Sequence, residues 1–281
     1  MSEATRSTQH QLRGAEGVRI AVRAVGDPQA PPIVFVHGWA SSSRAWSAQL
    51  TDLELAARHR LIAVDLRGHG ASDVPVSGYD RAATWADDIA AVLAYAGRPA
   101  VLVGWSYGGL VLTDYLRERR SAGVAGLVLV GALTELGRDR PGGAVGGAWD
   151  GIMRESVSDD PDEAVPALTT LAKRMTTTPR PGPDLQRHVG EMLSVPPSVR
   201  KALFRRDVGS AEVLAGVDVP TLILHGTEDA VVAPSSAEYS AGKIPGAVVR
   251  WFSSVGHLPF TERREEFDAA LLEFAGSTAT N

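Results

Sequence analysis

Seven short apolar runs recur along this chain: VRIAVRAVG, PIVFVHG, RLIAVDLRG, PAVLVGWS, GLVLVGA, PTLILHG and AVVRWFSSVGH. Most are continuous rather than alternating. A strand that is apolar at every position has both faces covered, whereas a strand wetted on one face alternates. Segments with helical periodicity lie between the runs. This β-then-α rhythm predicts a mostly parallel sheet with helices on both faces. No helix-length segment separates VRIAVRAVG from PIVFVHG, so these two are expected to form an antiparallel hairpin or meander.

Three of the helical segments carry end signals. SSSRAWSAQLTDLELAARH opens on serines suited to an N-cap. TWADDIAAVLAYAG offers Thr84 as its cap, acids in its first turn, and Gly97 just past its end. EEFDAALLEFAG closes the chain in the same way. The first dozen or so residues and the final GSTATN read as tails.

The rhythm breaks once. Residues 133–217 contain no convincing strand, and GGAWDGIMRESV, DEAVPALTTLAKRM, DLQRHVGEMLSV and PSVRKALFRR read as short helices. A segment this long is not a loop in a compact domain. We expect residues 1–132 and 218–281 to form one core and 133–217 a helical cap. The cap would sit over the carboxyl ends of the strands, where α/β folds bind ligands.

Composition removes several classes of function. The 281 residues carry a formal net charge of −5 without long charged blocks, so no basic nucleic-acid footprint is present. No apolar run approaches the ~20 residues that span a bilayer. The chain has no cysteine, which excludes disulfides, thiolate metal sites and a cysteine nucleophile. The opening MSEATRSTQHQLRG has no apolar stretch of a secretory signal, so a cytoplasmic protein is expected. No metal-ligand cluster appears, and the glycine-rich GHGAS and PGGAVGG lack the lysine or spacing of nucleotide-binding loops. We expect neither metal nor cofactor, and a small-molecule substrate with neither nucleic acid nor membrane as partner.

Within PAVLVGWS and the residues that follow, Gly104-Trp105-Ser106-Tyr107-Gly108 fits the pattern G-x-S-x-G. It lies where an expected strand turns into an expected helix, which is the context this pattern needs. So sharp a turn strains its central residue and leaves room only for small neighbours. The turn lifts the Ser106 hydroxyl out of the core, and the helix starting at Tyr107 aims free N–H groups at developing negative charge.

A serine hydroxyl needs a base, and the base needs an orienting partner. On this fold the chain order is serine, acid, histidine. HGTEDAVV places Asp229 after the next-to-last strand, and SVGHLPF places His257 after the last. Glu228 adjoins Asp229, and Glu135 would be the acid if it followed the earlier strand. Of the seven histidines, His10 is in a tail, His37 and His225 precede glycines at strand ends, His69 belongs to a glycine-rich turn, and His188 is expected on a cap-helix surface. Asp65, Arg67 and Asp73 in DLRGHGASD read as a structural turn network.

Taken together, FVHGWASSSRAW, VDLRGHGASD, GWSYGG, LILHGTEDAVV and GHLPF resemble the α/β-hydrolase-fold superfamily, in its serine-nucleophile branch with a helical cap. The resemblance covers about residues 17–276. It implies an α/β, doubly wound, mostly parallel eight-stranded sheet. It also implies Ser106 as nucleophile, His257 as general base, Asp229 as orienting acid, and backbone N–H donors from Trp39 and Tyr107 as oxyanion hole. Trp39, Trp105, Trp149, Met153, Val231 and Leu258 are candidates for the substrate pocket, with Met175, Met192 and Phe204 as further apolar cap residues.

The chemistry this implies is hydrolysis of a small to medium, largely apolar carboxylic ester through an acyl-enzyme. Carbon–carbon hydrolases, lactonases and perhydrolases of the family use the same three residues, and a small-molecule receptor with an intact triad belongs to another class. Epoxide opening and halide displacement use an aspartate at the elbow, where this chain has Ser106.

Overall fold

In the computed structural model, which describes residues 7–278, eight strands form a single sheet in the order β1-β2-β4-β3-β5-β6-β7-β8. The strands are β1 (Thr8–Arg13), β2 (Arg19–Val25), β3 (Pro32–Val36), β4 (Arg60–Val64), β5 (Ala100–Trp105), β6 (Val124–Val130), β7 (Thr221–Gly226) and β8 (Val248–Phe252). β1–β2 and β2–β4 pair antiparallel, and every other neighbouring pair is parallel. All residues of β3, β5 and β7 are buried, which is why their sequences do not alternate. No helix among the described residues is long and apolar enough to cross a membrane.

The amino-terminal part departs from expectation in two ways. Thr8–Arg13 is a strand and not a tail, and its His10 stacks on Tyr95 with ring centroids 5.1 Å apart. It is an edge strand with exposed side chains, so it leaves no hydrophobic pattern in TQHQLR. Residues 1–6 of the expected tail, and 279–281 of the other, lie outside the described residues. The second departure is that β2 does not pair with β3. β4 lies between them, bonded antiparallel to one and parallel to the other. Chain proximity favoured the wrong neighbour, because a later strand took the middle place.

Helix ends differ too. The helix Ala82–Ala96 starts two residues before Thr84, which is buried inside its first turn, and Arg81 occupies the cap position. Its far end is as read: Gly97 is left-handed at φ 74° and returns its N–H to Leu93 O. The SSSRAWSAQLTDLELAARH segment is broken. Ser42 caps a short 3₁₀ turn, Ser43–Trp46, and Asp52 starts a new helix, Leu53–Arg58, by accepting the N–H groups of Glu54 and Leu55. Trp46, at the end of the 3₁₀ turn, packs on Phe35 and Phe260, with centroids 5.0 and 4.5 Å away.

DLRGHGASD is a structural turn, as expected. Asp65 accepts the N–H groups of Ser43 and Ala71 at 2.6 and 2.9 Å. Arg67 and Asp88 form a fully buried pair at 2.6 Å, and Asp88 also accepts Ala15 N–H. Asp73 holds Arg19 at 2.7 Å.

Between β6 and β7 lie the helices Pro161–Arg174, Gly182–Ser194, Pro197–Phe204 and Ala211–Ala215. The only extended pairing there among the described residues is two isolated bridges, Leu136 with Val208 and Val145 with Val232. GGAWDGIMRESV yields no α-helix, only the 3₁₀ turns Gly147–Trp149 and Glu155–Val157. Gly151, at φ 72°, interrupts any regular helix between them. Ala211–Ala215 packs against the body helices Tyr107–Arg119 and Pro234–Lys243, so the chain rejoins the body before residue 217.

Candidate active site

Ser106 sits between the end of β5 and the helix Tyr107–Arg119 at φ 54°, ψ −121°. A non-glycine residue there costs about 1–3 kcal/mol and persists only where its surroundings enforce it. Here they do. Ser106 N–H donates to Val130 O at 3.0 Å, and its carbonyl accepts from Gly109 at 3.0 Å and Leu133 at 3.1 Å. The flanking glycines are required by close approach. A Cβ on Gly108 would lie 2.5 Å from Val36 O, and one on Gly104 would lie 2.8 Å from Leu112. The Ser106 hydroxyl makes no hydrogen bond among the described residues.

Asp229 follows β7 and His257 follows β8. Their side chains meet, with His257 Nδ1 2.8 Å from Asp229 Oδ2, and both are buried. The other carboxylate oxygen accepts the N–H groups of Val231 and Val232 at 2.9 and 3.0 Å, which fixes the plane of the carboxylate. His257 is held from two sides. Its N–H donates to Met175 O at 2.7 Å, and its carbonyl accepts from Trp105 Nε1 at 3.0 Å. Gly131 joins this pair to Ser106. A Cβ on Gly131 would stand 3.0 Å from Asp229 Oδ2 and 3.2 Å from His257 Nδ1, while the preceding carbonyl, of Val130, takes the Ser106 N–H. The residue reading passed over Gly131. Its signal is a glycine ending a buried strand beside the elbow strand.

The two other carboxylates are elsewhere. Glu228 is exposed. Glu135 is buried and engaged by Gly142 N–H at 3.1 Å, Ser210 N–H at 2.7 Å and the Tyr239 hydroxyl at 3.2 Å.

Gly38 faces the serine, since a Cβ there would lie 2.9 Å from Ser106 Cβ. The N–H groups of the next residue, Trp39, and of Tyr107 make no backbone hydrogen bond among the described residues. Three rings pack on one another: Trp39–Phe204, Trp149–Phe204 and Trp39–Trp149 centroids are 5.0, 5.4 and 5.6 Å apart. Trp149 is pinned by Nε1 donating to Val231 O at 3.1 Å. Val231 and Leu258 are buried beside Asp229 and His257. Trp105 packs on His257 and Phe260. Met153 does not join these rings; it is 42 % exposed, in the turn before Glu155–Val157. Met175 and Met192 are buried. No group of three or more His, Asp or Glu side chains able to hold a metal ion occurs among the described residues.

His188 corrects a surface expectation. It is buried, with Nε2 3.2 Å from Met175 Sδ. Burial pushes both His188 and His69 down to about 3. An unfolded chain protonates these rings below the ordinary 6.5, and the folded chain resists down to about 3. Their contribution to stability is therefore complete above that ordinary value and is lost as pH falls through the interval. The thermal midpoint is expected to drop progressively on acidification from pH 6.5 toward pH 3, and His69→Gln should shrink the drop. Scanning calorimetry across that range checks it; identical acid profiles for the two proteins would contradict it.

A mostly parallel sheet with a strained serine at one strand end, and a carboxylate–histidine pair at two others, defines an α/β hydrolase. The chain belongs to the alpha/beta hydrolase family, whose model matches residues 33–270, and it is a hydrolase enzyme. It is similar to the esterase RhEst1 from Rhodococcus sp. ECU1013, at 44 % identity and a TM-score of 0.92 over 96 % of this chain and 99 % of that one. A putative aryl esterase from Burkholderia cenocepacia matches at 30 % identity and a TM-score of 0.91, over 98 % of this chain and 100 % of that one. The bifunctional esterase/perhydrolase DCH of Acinetobacter calcoaceticus is 30 % identical over 276 residues, 93 % of this chain and 98 % of that protein.

Proposed function

We propose that the chain hydrolyses carboxylic esters through an acyl-enzyme on Ser106. The observation that carries this reading is the buried 2.8 Å bond between His257 Nδ1 and Asp229 Oδ2, beside a serine held in a strained backbone. With Nδ1–H donated to the carboxylate, Nε2 is left as the base. The serine hydroxyl, which has no other partner among the described residues, turns toward it and attacks the ester carbonyl as Nε2 takes its proton. The oxyanion forms against the N–H groups of Trp39 and Tyr107. Such donors are worth about 3–4 kcal/mol each. The protonated imidazole, stabilised by Asp229, then gives its proton to the departing alkoxide. Water attacks the acyl-enzyme, losing a proton to the same nitrogen, and the proton returns to Ser106 as the acid leaves.

The segment 133–217 serves as the cap, supplying Trp149 and Phe204 to an aromatic wall closed by Trp39. That wall favours small to medium apolar acyl or alcohol groups, and the esterase names of the relatives agree in reaction class. The esterase/perhydrolase relative supports a second outcome from the same intermediate, in which hydrogen peroxide replaces water and a peracid leaves.

Labelling with a fluorophosphonate, read by intact mass, beside a series of p-nitrophenyl esters of increasing acyl length, tests the reading. One label per chain on Ser106 and many turnovers on short esters are expected. Label that persists on Ser106→Ala would reject the nucleophile, and labelling of Ser106 without turnover would favour a ligand receptor.

A further inference from the structure

Three residues assigned above to catalysis are each tied, through another of their groups, to a main-chain carbonyl of the cap. Trp39 Nε1 donates to Arg200 O at 3.0 Å, the Tyr107 hydroxyl to Leu203 O at 3.3 Å, and His257 N–H to Met175 O at 2.7 Å. Two of these carbonyls belong to one helix, Pro197–Phe204, and Leu203 is in its last turn, where no amide remains to take its carbonyl. The side chains of both oxyanion donors therefore hang from one short helix.

That helix is anchored from below. Arg206, two residues past its end, reaches the nucleophile helix Tyr107–Arg119. Its Nη2 donates to Asp114 Oδ2 at 2.7 Å and its Nη1 to the Tyr107 oxygen at 3.2 Å. The ionic side chains are 1 % and 0 % exposed. Tyr107 and Asp114 are seven residues apart, two helical turns on one face, so a single guanidinium spans both. Burial pushes the Tyr107 phenol up to about 12, so it stays protonated and free to donate to Leu203 O. The network is not optimised for stability alone, since Arg206 Nε and Asp114 Oδ1 are buried without hydrogen-bond partners among the described residues. Replacing such a pair by apolar residues is often neutral or stabilising, whereas removing one member is costly.

We propose that Arg206, through Asp114 and the Tyr107 hydroxyl, is a positioning residue that sets the oxyanion donors by docking the helix Pro197–Phe204 onto the nucleophile helix. It acts on the Tyr107 and Trp39 backbone through their side chains and touches no reacting atom. The inference rests on the acyl-transfer reading.

The test is the double variant Asp114→Leu with Arg206→Met, which removes the pair without leaving a lone buried charge. Its thermal midpoint should stay near that of the parent. For p-nitrophenyl esters kcat should fall about tenfold or more at every acyl length with KM little changed, the mark of an interaction made in the transition state. Inhibition by a trifluoromethyl ketone, which forms an oxyanion at the site, should weaken by the same factor. Unchanged kcat and ketone affinity in a folded double variant would overturn the proposal. If that variant does not fold, Tyr107→Phe removes both phenol bonds and keeps the backbone N–H, and it should show the same split; parent-like kcat there is equally fatal. Failure of the acyl-transfer reading looks different: either Ser106→Ala retains turnover and fluorophosphonate labelling, or the parent itself is labelled yet turns over no ester.

Discussion

Ser106→Ala is expected to lower ester turnover by a factor of about 10⁴ or more, with a thermal midpoint close to that of the parent. The two halves of this expectation come from different observations. The strain at φ 54° arises from the backbone and Cβ, which alanine keeps. The hydroxyl has no hydrogen-bond partner among the described residues, so removing it breaks no contact and leaves no orphaned group. The backbone bonds to Val130, Gly109 and Leu133 also remain. Turnover, by contrast, has no covalent route without the oxygen. Initial rates on p-nitrophenyl butyrate and a melting curve on the same sample decide it. An inactive variant that also melts early would point to lost structure, and an active one would reject the nucleophile.

Asp229→Asn is expected to cost about 10⁴ in kcat, because a carboxamide can turn its NH₂ toward Nδ1 and favour the tautomer with the proton on Nε2. Histidine in that form is no base toward serine. Val231 and Val232 N–H groups still find an oxygen at position 229, so the loop should hold its shape. Glu135→Gln is the paired measurement. Its carboxylate accepts from Gly142, Ser210 and Tyr239, a network joining three segments far apart in the chain, so the substitution should act on stability more than on kcat. Near-parent kcat for the first variant and a severe loss for the second would move the acid to Glu135. Steady-state kinetics on the two proteins, run beside their melting curves, separate these outcomes.

What could be read from residues alone was whatever leaves a local mark. Strands covered on both faces lose alternation, so β3, β5 and β7 stand out as apolar runs. A turn with no room for side chains demands glycines, so the bend around Ser106 shows in Gly104 and Gly108, and a left-handed helix end shows in Gly97. Chain order placed Asp229 and His257 at strand ends. The exposed edge strand β1 left no such mark, nor did the entry of β4 between β2 and β3, since hydrogen bonds between strands carry no side-chain signature. The buried place of His188 and the surface place of Met153 were hidden for a different reason: each depends on which face of its own segment packs against distant parts of the chain. Which carboxylate meets His257, and which main-chain carbonyls of residues 133–217 receive Trp39, Tyr107 and His257, depends on groups far apart in the chain, 161 residues for Trp39 and Arg200 and 96 for Tyr107 and Leu203. Sequence by itself determined the seven apolar strands, the elbow and the residue types a site would need; only the tertiary structure decided their partners, because a main-chain carbonyl carries no mark in the sequence of which distant side chain it will receive.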